Sequence, residues 1–253
     1  MVLVDGHADA QLPADDAGFT RGLAAFETLR SYGPRLFRLE AHLERLARSA
    51  AFMDVPCPLD KLRRDIVQLD IVDDQAVNLF LTPRHRVVIS RPLDHRRVGR
   101  AIAVATAPFE PPPWLPGWVK HTSRAGWELA AARAGADELI FLDGRGHWTE
   151  CSRSNLLAVR DGVAITPPLD GRILPGITRA AAIDAAREAG IELREAPLPA
   201  ARYDELYALS TLKEIAPIEM IDGARAGEGS DVGSALRQAL AEIVARETQS
   251  GGQ

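Results

Sequence analysis

The sequence predicts a two-domain α/β (α+β) chain on three observations: its length, the alternation of strand-like and helix-like periods in both halves, and one proline-rich break between them. With 253 residues and 46% apolar side chains, the chain has material for more than one small core. The stretch 108–117, PFEPPPWLPG, carries five prolines. Proline lacks a backbone donor and fixes φ, so this stretch continues neither a helix nor a central strand and reads as a stiff connector. The expected division is a domain over 1–107, a linker over 108–117 and a second domain over 118–253.

In the first half, Phe26-Glu27-Thr28-Leu29-Arg30 alternates, Tyr32-Gly33-Pro34 turns the chain, and Leu36-Phe37-Arg38 resumes, which predicts a hairpin. Leu39, Leu43, Leu46, Ala50 and Met53 then share one stripe of a helix over 39–53, leaving Arg38, His42, Arg45 and Ser49 on a polar face. Strands are predicted over 77–82, 87–91 and 101–107. In the second half the pattern predicts a helix over 124–134 closed by Gly135, a strand over 138–142, and a turn over 143–146. Asp161-Gly162 between two apolar runs is a hairpin signal. A helix over 178–189 ends at Gly190, a strand covers 206–209, a helix covers 232–246, and the tail SGGQ is expected to be disordered.

Composition excludes several classes of function. The 35 acidic and 30 basic side chains are spread along the chain, with no basic patch for a nucleic acid. Cys57 and Cys151 stand far apart, without metal-ligand spacing, which fits a reducing compartment. The start MVLVDGHADA has neither the basic flank nor the apolar run of a signal peptide or membrane anchor, so the cytoplasm is the expected location. No phosphate-binding glycine loop, G-x-G-x-x-G or G-x-S-x-G occurs. Asp5, His7 and Asp9 lack a second histidine nearby and read as a solvated loop, so no metal is expected. Only three of the thirty basic residues are lysine: Lys61, Lys120 and Lys213. A lysine kept against that bias hints at a need for an amine, which can lose its proton where a guanidinium cannot.

Seven segments in order carry a resemblance: GFTRGLAAFETLR (18–30), LFRLEAHLERLARSA (36–50), VKHTSR (119–124), AGADELIFLD (134–143), TECSRSNLL (149–157), ILPGITR (173–179) and LSTLKEIAPI (209–218). Together they resemble the class IV aminotransferases, the fold type IV pyridoxal phosphate (PLP) enzymes, over roughly residues 16 to 223. The resemblance implies a smaller N-terminal α/β domain, a larger C-terminal α/β barrel-like domain, PLP held between them, and a homodimer. Lys120 matches the lysine that holds PLP as a Schiff base and then works as general base, roles an amine alone can combine. Glu150 matches the carboxylate that keeps the pyridine nitrogen protonated. Arg45, the Ile177-Thr178 backbone at a helix start, and Ser210 and Thr211 match the phosphate donors. Ser154 is expected near the cofactor, as are Ser152 and Asn155, and Phe26 is expected to pack beside it.

Two departures bear on the reaction. The Gly-Asp-Gly common ahead of the family's aromatic is replaced by Gly22-Leu23-Ala24-Ala25, and Arg124 stands where many aminotransferases carry a tyrosine. Arg124, His121 and Thr149-Glu150-Cys151 look more like the aminodeoxychorismate lyases, for which Thr28 would be the proton donor and Arg96 and Arg124 would hold substrate carboxylates. Ser210-Thr211 looks like the aminotransferase branch. The expected activity is therefore transfer of an amino group between a small amino acid, of D- or branched-chain type, and a 2-oxo acid. The alternatives are release of pyruvate and p-aminobenzoate from aminodeoxychorismate, and PLP binding without turnover.

Overall fold

The computed structural model describes residues 1–227 and 231–249, so the predicted disordered tail lies outside the described residues. The chain divides into two compact units: Met1–Asp94 with Val119–Arg124 and the chain end from Glu247, and His95–Trp118 with Ala125–Arg246. This division differs from a simple cut at the proline-rich segment, because residues 119–124 are packed with the first unit.

The first unit contains β1 (Val2–Val4), α1 (Ala17–Arg21), β2 (Ala25–Tyr32), β3 (Arg35–Leu36), α2 (Leu39–Phe52), α3 (Leu59–Val67), β4 (Gln75–Leu81) and β5 (Arg86–Pro92). Its five strands form a fully antiparallel sheet in the order β1-β5-β4-β2-β3. Strand alternation sends Ala25 and Leu29 of β2, Val77, Leu79 and Leu81 of β4, and Val88 of β5 into one core with Leu43, Leu46 and Ala50 of α2. The helix predicted over 39–53 and the hairpin before it are thus present. Leu46 is fully buried, and its truncation to alanine would cost roughly 2–5 kcal/mol. Sequence reading missed α3, whose Leu59, Leu62 and Ile66 pack on the same core at helical spacing.

The second unit contains β6 (Ile102–Pro108), α4 (Ala125–Arg133), β7 (Glu138–Leu142), β8 (His147–Cys151), β9 (Asn155–Arg160), β10 (Val163–Thr166), α5 (Ile177–Glu188), β11 (Leu193–Glu195), β12 (Leu198–Pro199), β13 (Glu205–Ser210), β14 (Glu214–Ile221), β15 (Ala224–Arg225) and most of α6 (Val232–Gln249). Six strands, β9-β13-β14-β6-β7-β8, form a path closed by a pairing of β8 with β9 at Glu150 and Asn155, so the sheet is barrel-like. Strand β6, assigned to the first half by its place in the sequence, pairs in parallel with β7 and β14 and belongs here. A strand's period shows that it pairs, and not with which sheet. Asp161-Gly162 joins β9 to β10 as its sequence predicts. Ala181, Ala182, Ala185 and Ala186 bury one face of α5, which packs against β13. Phe109 and Trp127 pack on Phe141 of β7, giving the proline-rich segment an aromatic anchor within this unit.

Candidate active site

In the first unit, the segment carrying Lys120 is tied to the start of β2 like a short extra strand. Lys120 O accepts the Phe26 N–H at 3.1 Å, the Thr122 N–H donates to Ala24 O at 3.0 Å, and Ala25 bridges His121. On the other side, the Lys120 N–H donates to the Ser49 hydroxyl of α2 at 3.0 Å. The hydroxyls of Thr122 and Ser123 donate to Gly22 O at 2.9 and 2.8 Å. Gly22 sits at φ 64°, a conformation costly for other residues, and an added Cβ would lie 2.9 Å from Ser123 Oγ. The Gly22–Ala25 stretch that departs from the family pattern is therefore the stretch that docks the lysine segment. Nζ of Lys120 stands 4.6 Å from the Phe26 ring centroid, and the Arg124 guanidinium 5.6 Å from the same centroid. Phe26 stacks on Phe80 across the sheet at 5.8 Å. Thr28 follows Phe26 on the same face, by the alternation of β2.

The stripe of α2 expected to be polar is buried rather than solvated. His42, Arg45 and Ser49 are all buried, around a Glu27 with no exposed surface. Arg45 donates from Nε and Nη2 to the two Glu27 oxygens at 2.7 and 2.8 Å, and His42 Nδ1 donates to Glu27 Oε2 at 2.8 Å. Burial opposes ionisation of Glu27, but the Arg45 charge and these hydrogen bonds outweigh it and hold the carboxyl well below its usual range. Burial also pushes the His42 pKa down against the pull of Glu27, and among the described residues its Nε2 has no hydrogen-bond partner. His121 is lowered to about 4 by burial, assisted by the cations of Arg124 and Lys120.

In the second unit, Glu150 lies at the seam where β8 meets β9. Its Oε2 accepts from Asn155 Nδ2 and from the Leu174 N–H, both at 3.1 Å, and Asn155 Nδ2 also donates to Leu174 O at 2.8 Å. This links the carboxylate to the turn that opens α5. The N-cap Gly176 offers no side chain to the first turn, whose N–H groups, including those of Ile177 and Thr178, lack intrahelical acceptors. A Cβ at Gly176 would collide with the Asn155 amide oxygen, so the turn approaches the strand at glycine contact distance. Ser154 instead donates to buried Glu138 at 2.9 Å, which also pairs with Lys213 just after Ser210 and Thr211.

The sequence-predicted residues thus fall into groups. Phe26, Thr28, Lys120 and Arg124 share one region of the first unit, with Arg45 in the buried cluster around Glu27. Glu150, Ile177 and Thr178 are joined through Asn155 and Leu174 in the second unit, Ser154 is bonded to Glu138, and Ser210 and Thr211 lie where β13 turns into β14. Arg96 occupies an exposed 3-10 turn, His95–Arg97, of the second unit. Sequence reading missed the parts played by Ser49, Glu27 and His42. Asp5 is engaged by His85 and Arg86 at 2.8 and 3.1 Å. Among the described residues no helix is long and apolar enough to cross a membrane.

Comparison with known proteins matches this architecture. The family described as amino-transferase class IV matches residues 24–221. A putative branched-chain-amino-acid aminotransferase of Methanocaldococcus jannaschii is 32% identical over 245 residues, covering 85% of this chain and 84% of that protein. A D-alanine aminotransferase of Listeria monocytogenes is 31% identical over 282 residues, covering 97% and 96%. The PLP-bound structure of a hypothetical aminotransferase from Mycobacterium tuberculosis superposes with a TM-score of 0.82 at 26% identity, covering 99% of each chain.

Proposed function

Since the chain belongs to the class IV aminotransferases and is an enzyme, we propose that it is a PLP-dependent aminotransferase moving an amino group between a small amino acid, of D- or branched-chain type, and a 2-oxo acid. The observation that carries this reading is Lys120: a half-buried amine beside an aromatic face, its main chain hydrogen-bonded at both N–H and C=O. The relatives matched in the preceding section support the substrate class.

The donor set fits PLP. An amine can bond its aldehyde, the uncapped helix start at Gly176 suits a phosphate, and a carboxylate oriented by two N–H groups suits a protonated pyridine. When bound, PLP supplies the electron sink that accepts the pair left at the substrate Cα. Lys120 would hold the cofactor through Nζ and would move the Cα proton. Glu150 would keep the ring nitrogen protonated. Ile177 and Thr178 N–H groups, with Ser210, Thr211 and Arg45, would bind the phosphate. Ser154 steadies this region through Glu138. Phe26 packs against the ring, and Arg124 and Arg96 are the candidates for substrate carboxylates. The family resemblance adds a homodimer, and the sparse, widely separated cysteines fit the cytoplasm.

A second reading, aminodeoxychorismate lyase, is favoured by one observation: Thr28, a possible proton donor, shares the sheet face of Phe26, over which Lys120 and Arg124 stand. The test is a substrate panel on purified protein. Transamination predicts a yellow holoenzyme that consumes amino acids only when given a 2-oxo acid, and a colourless Lys120→Ala variant. Pyruvate and p-aminobenzoate from aminodeoxychorismate would replace this reading with the lyase, and a yellow, fully active Lys120→Ala would overturn both.

A further inference from the structure

The segment 167–176, which leads from β10 to α5 without regular structure, carries Leu174, whose N–H orients Glu150, and Gly176, which opens the helix. With no strand or helix ladder along it, such a segment keeps its place through side-chain ties and packing. At its centre Arg172 stands between two carboxylates. Its Nε and Nη2 lie 2.7 and 2.6 Å from Asp170 Oδ2, and Asp170 Oδ1 accepts the Arg172 N–H at 3.1 Å, a local tie within the segment. Its Nη1 donates to Asp143 Oδ2 at 2.6 Å, a tie spanning 29 residues. Asp143 belongs to the turn between β7 and β8, and its side chain has no exposed surface. Its Oδ1 accepts the N–H groups of Arg145 and His147 at 2.9 and 2.8 Å, and His147 Nδ1 lies 3.7 Å from Oδ2. One oxygen thus shapes the turn and the other takes the guanidinium. The Arg172 main chain is packed too, since a Cβ at Gly117 would overlap its carbonyl.

We propose that Arg172 is a positioning residue for the cofactor site: through its bond to buried Asp143 it holds Leu174 where both donors to the Glu150 carboxylate stay in place. Leu174 governs both, because its N–H donates to Glu150 Oε2 directly and its carbonyl accepts from the Asn155 amide that is the second donor. Ile173, between Arg172 and Leu174, is buried, and Pro175 restricts the backbone of Leu174, so little freedom is left to absorb a shift at Arg172. A guanidinium held by two carboxylates in a fixed fork favours one placement of the segment, and stranding the buried Asp143 charge opposes any other. The role rests on the PLP reading of the site and gives Arg172 a part in it through the main chain alone.

The test titrates the full-length apoprotein with PLP and with its 1-deaza analogue, which keeps the aldehyde and phosphate but has carbon in place of the ring nitrogen. The parent should bind PLP more tightly, since only PLP offers Glu150 a ring N–H, and Glu150→Gln should remove that preference. Arg172→Met should reduce the preference roughly 10-fold, the worth of one hydrogen bond to a charged group. Asp143→Asn keeps an acceptor for the Arg145 and His147 N–H groups and removes the charge that draws Arg172. It should give the same loss, and the double variant should lose no more than either single one. A brace that serves stability alone would lower the urea midpoint and weaken both ligands alike. Four results would each overturn the inference: a parent that binds both ligands equally, a preference unchanged in both variants, equal weakening of the two ligands, or additive losses in the double variant. In all four PLP still binds and the PLP reading stands. A parent that binds neither ligand would sink that reading instead.

Discussion

The hydroxyl of Ser49, buried in α2, accepts the backbone N–H of Lys120, 71 residues away in sequence, at 3.0 Å. With Lys120 O bonded to the Phe26 N–H, the lysine's main chain is fixed to a helix on one side and a strand on the other. Ser49→Ala leaves an N–H without this acceptor and should lower stability by about 1–2 kcal/mol in urea unfolding. A loss below the error of extrapolation would show that the bond is replaced by solvent.

Glu27 joins Arg45 and His42 in an environment without water. Replacing it by glutamine leaves the Arg45 charge buried without its counter-ion, which should cost roughly 3–5 kcal/mol in urea unfolding. Adding Arg45→Met should recover part of that loss, because the stranded charge is removed as well.

His121 gives a pH dependence of defined sign. Its folded pKa is about 4, against an ordinary value of 6.5. Between those values the unfolded chain takes up a proton that the native chain does not. The contribution of His121 to stability is thus full above pH 6.5, falls as pH drops toward 4, and is constant below. His121→Gln should therefore narrow its stability gap to the parent as pH falls through this window, and leave the gap flat above pH 7. Buried His42, common to both proteins, cancels in the difference. A gap independent of pH from 7 to 4 would contradict the assignment.

Gly176 should tolerate no side chain. A methyl group there meets the Asn155 oxygen, and Asn155 is one of the two donors orienting Glu150. Gly176→Ala should weaken PLP affinity about 10-fold or more in equilibrium titrations of the apoprotein, while far-ultraviolet dichroism stays that of the parent. Parent-like affinity would mean that this close approach has no part in cofactor binding.

Local patterns were readable where the physics is local. The apolar stripe of α2, the Asp161-Gly162 hairpin and the helix opening after Gly176 each follow from residues within a few positions. The burial of the other stripe of α2 was not readable, because His42 and Arg45 are sheltered by Glu27, which lies 15 and 18 residues before them. Their polarity reads as a solvated face until that partner is known. For the same reason β6 reads as part of the first half, since only its pairing with β7 and β14 assigns it to the second sheet. Lys120, Glu150 and Thr28 were singled out through family motifs; Ser49 lies within such a segment, but its part emerges only from a hydrogen bond spanning 71 residues.

The three lysines make the decisive measurement simple. Holoenzyme reduced with borohydride, digested and analysed by mass spectrometry should carry one pyridoxyl group per chain, on the peptide containing Lys120. Labelling of Lys61 or Lys213 in its place, or no adduct on a protein saturated with PLP, would contradict the account.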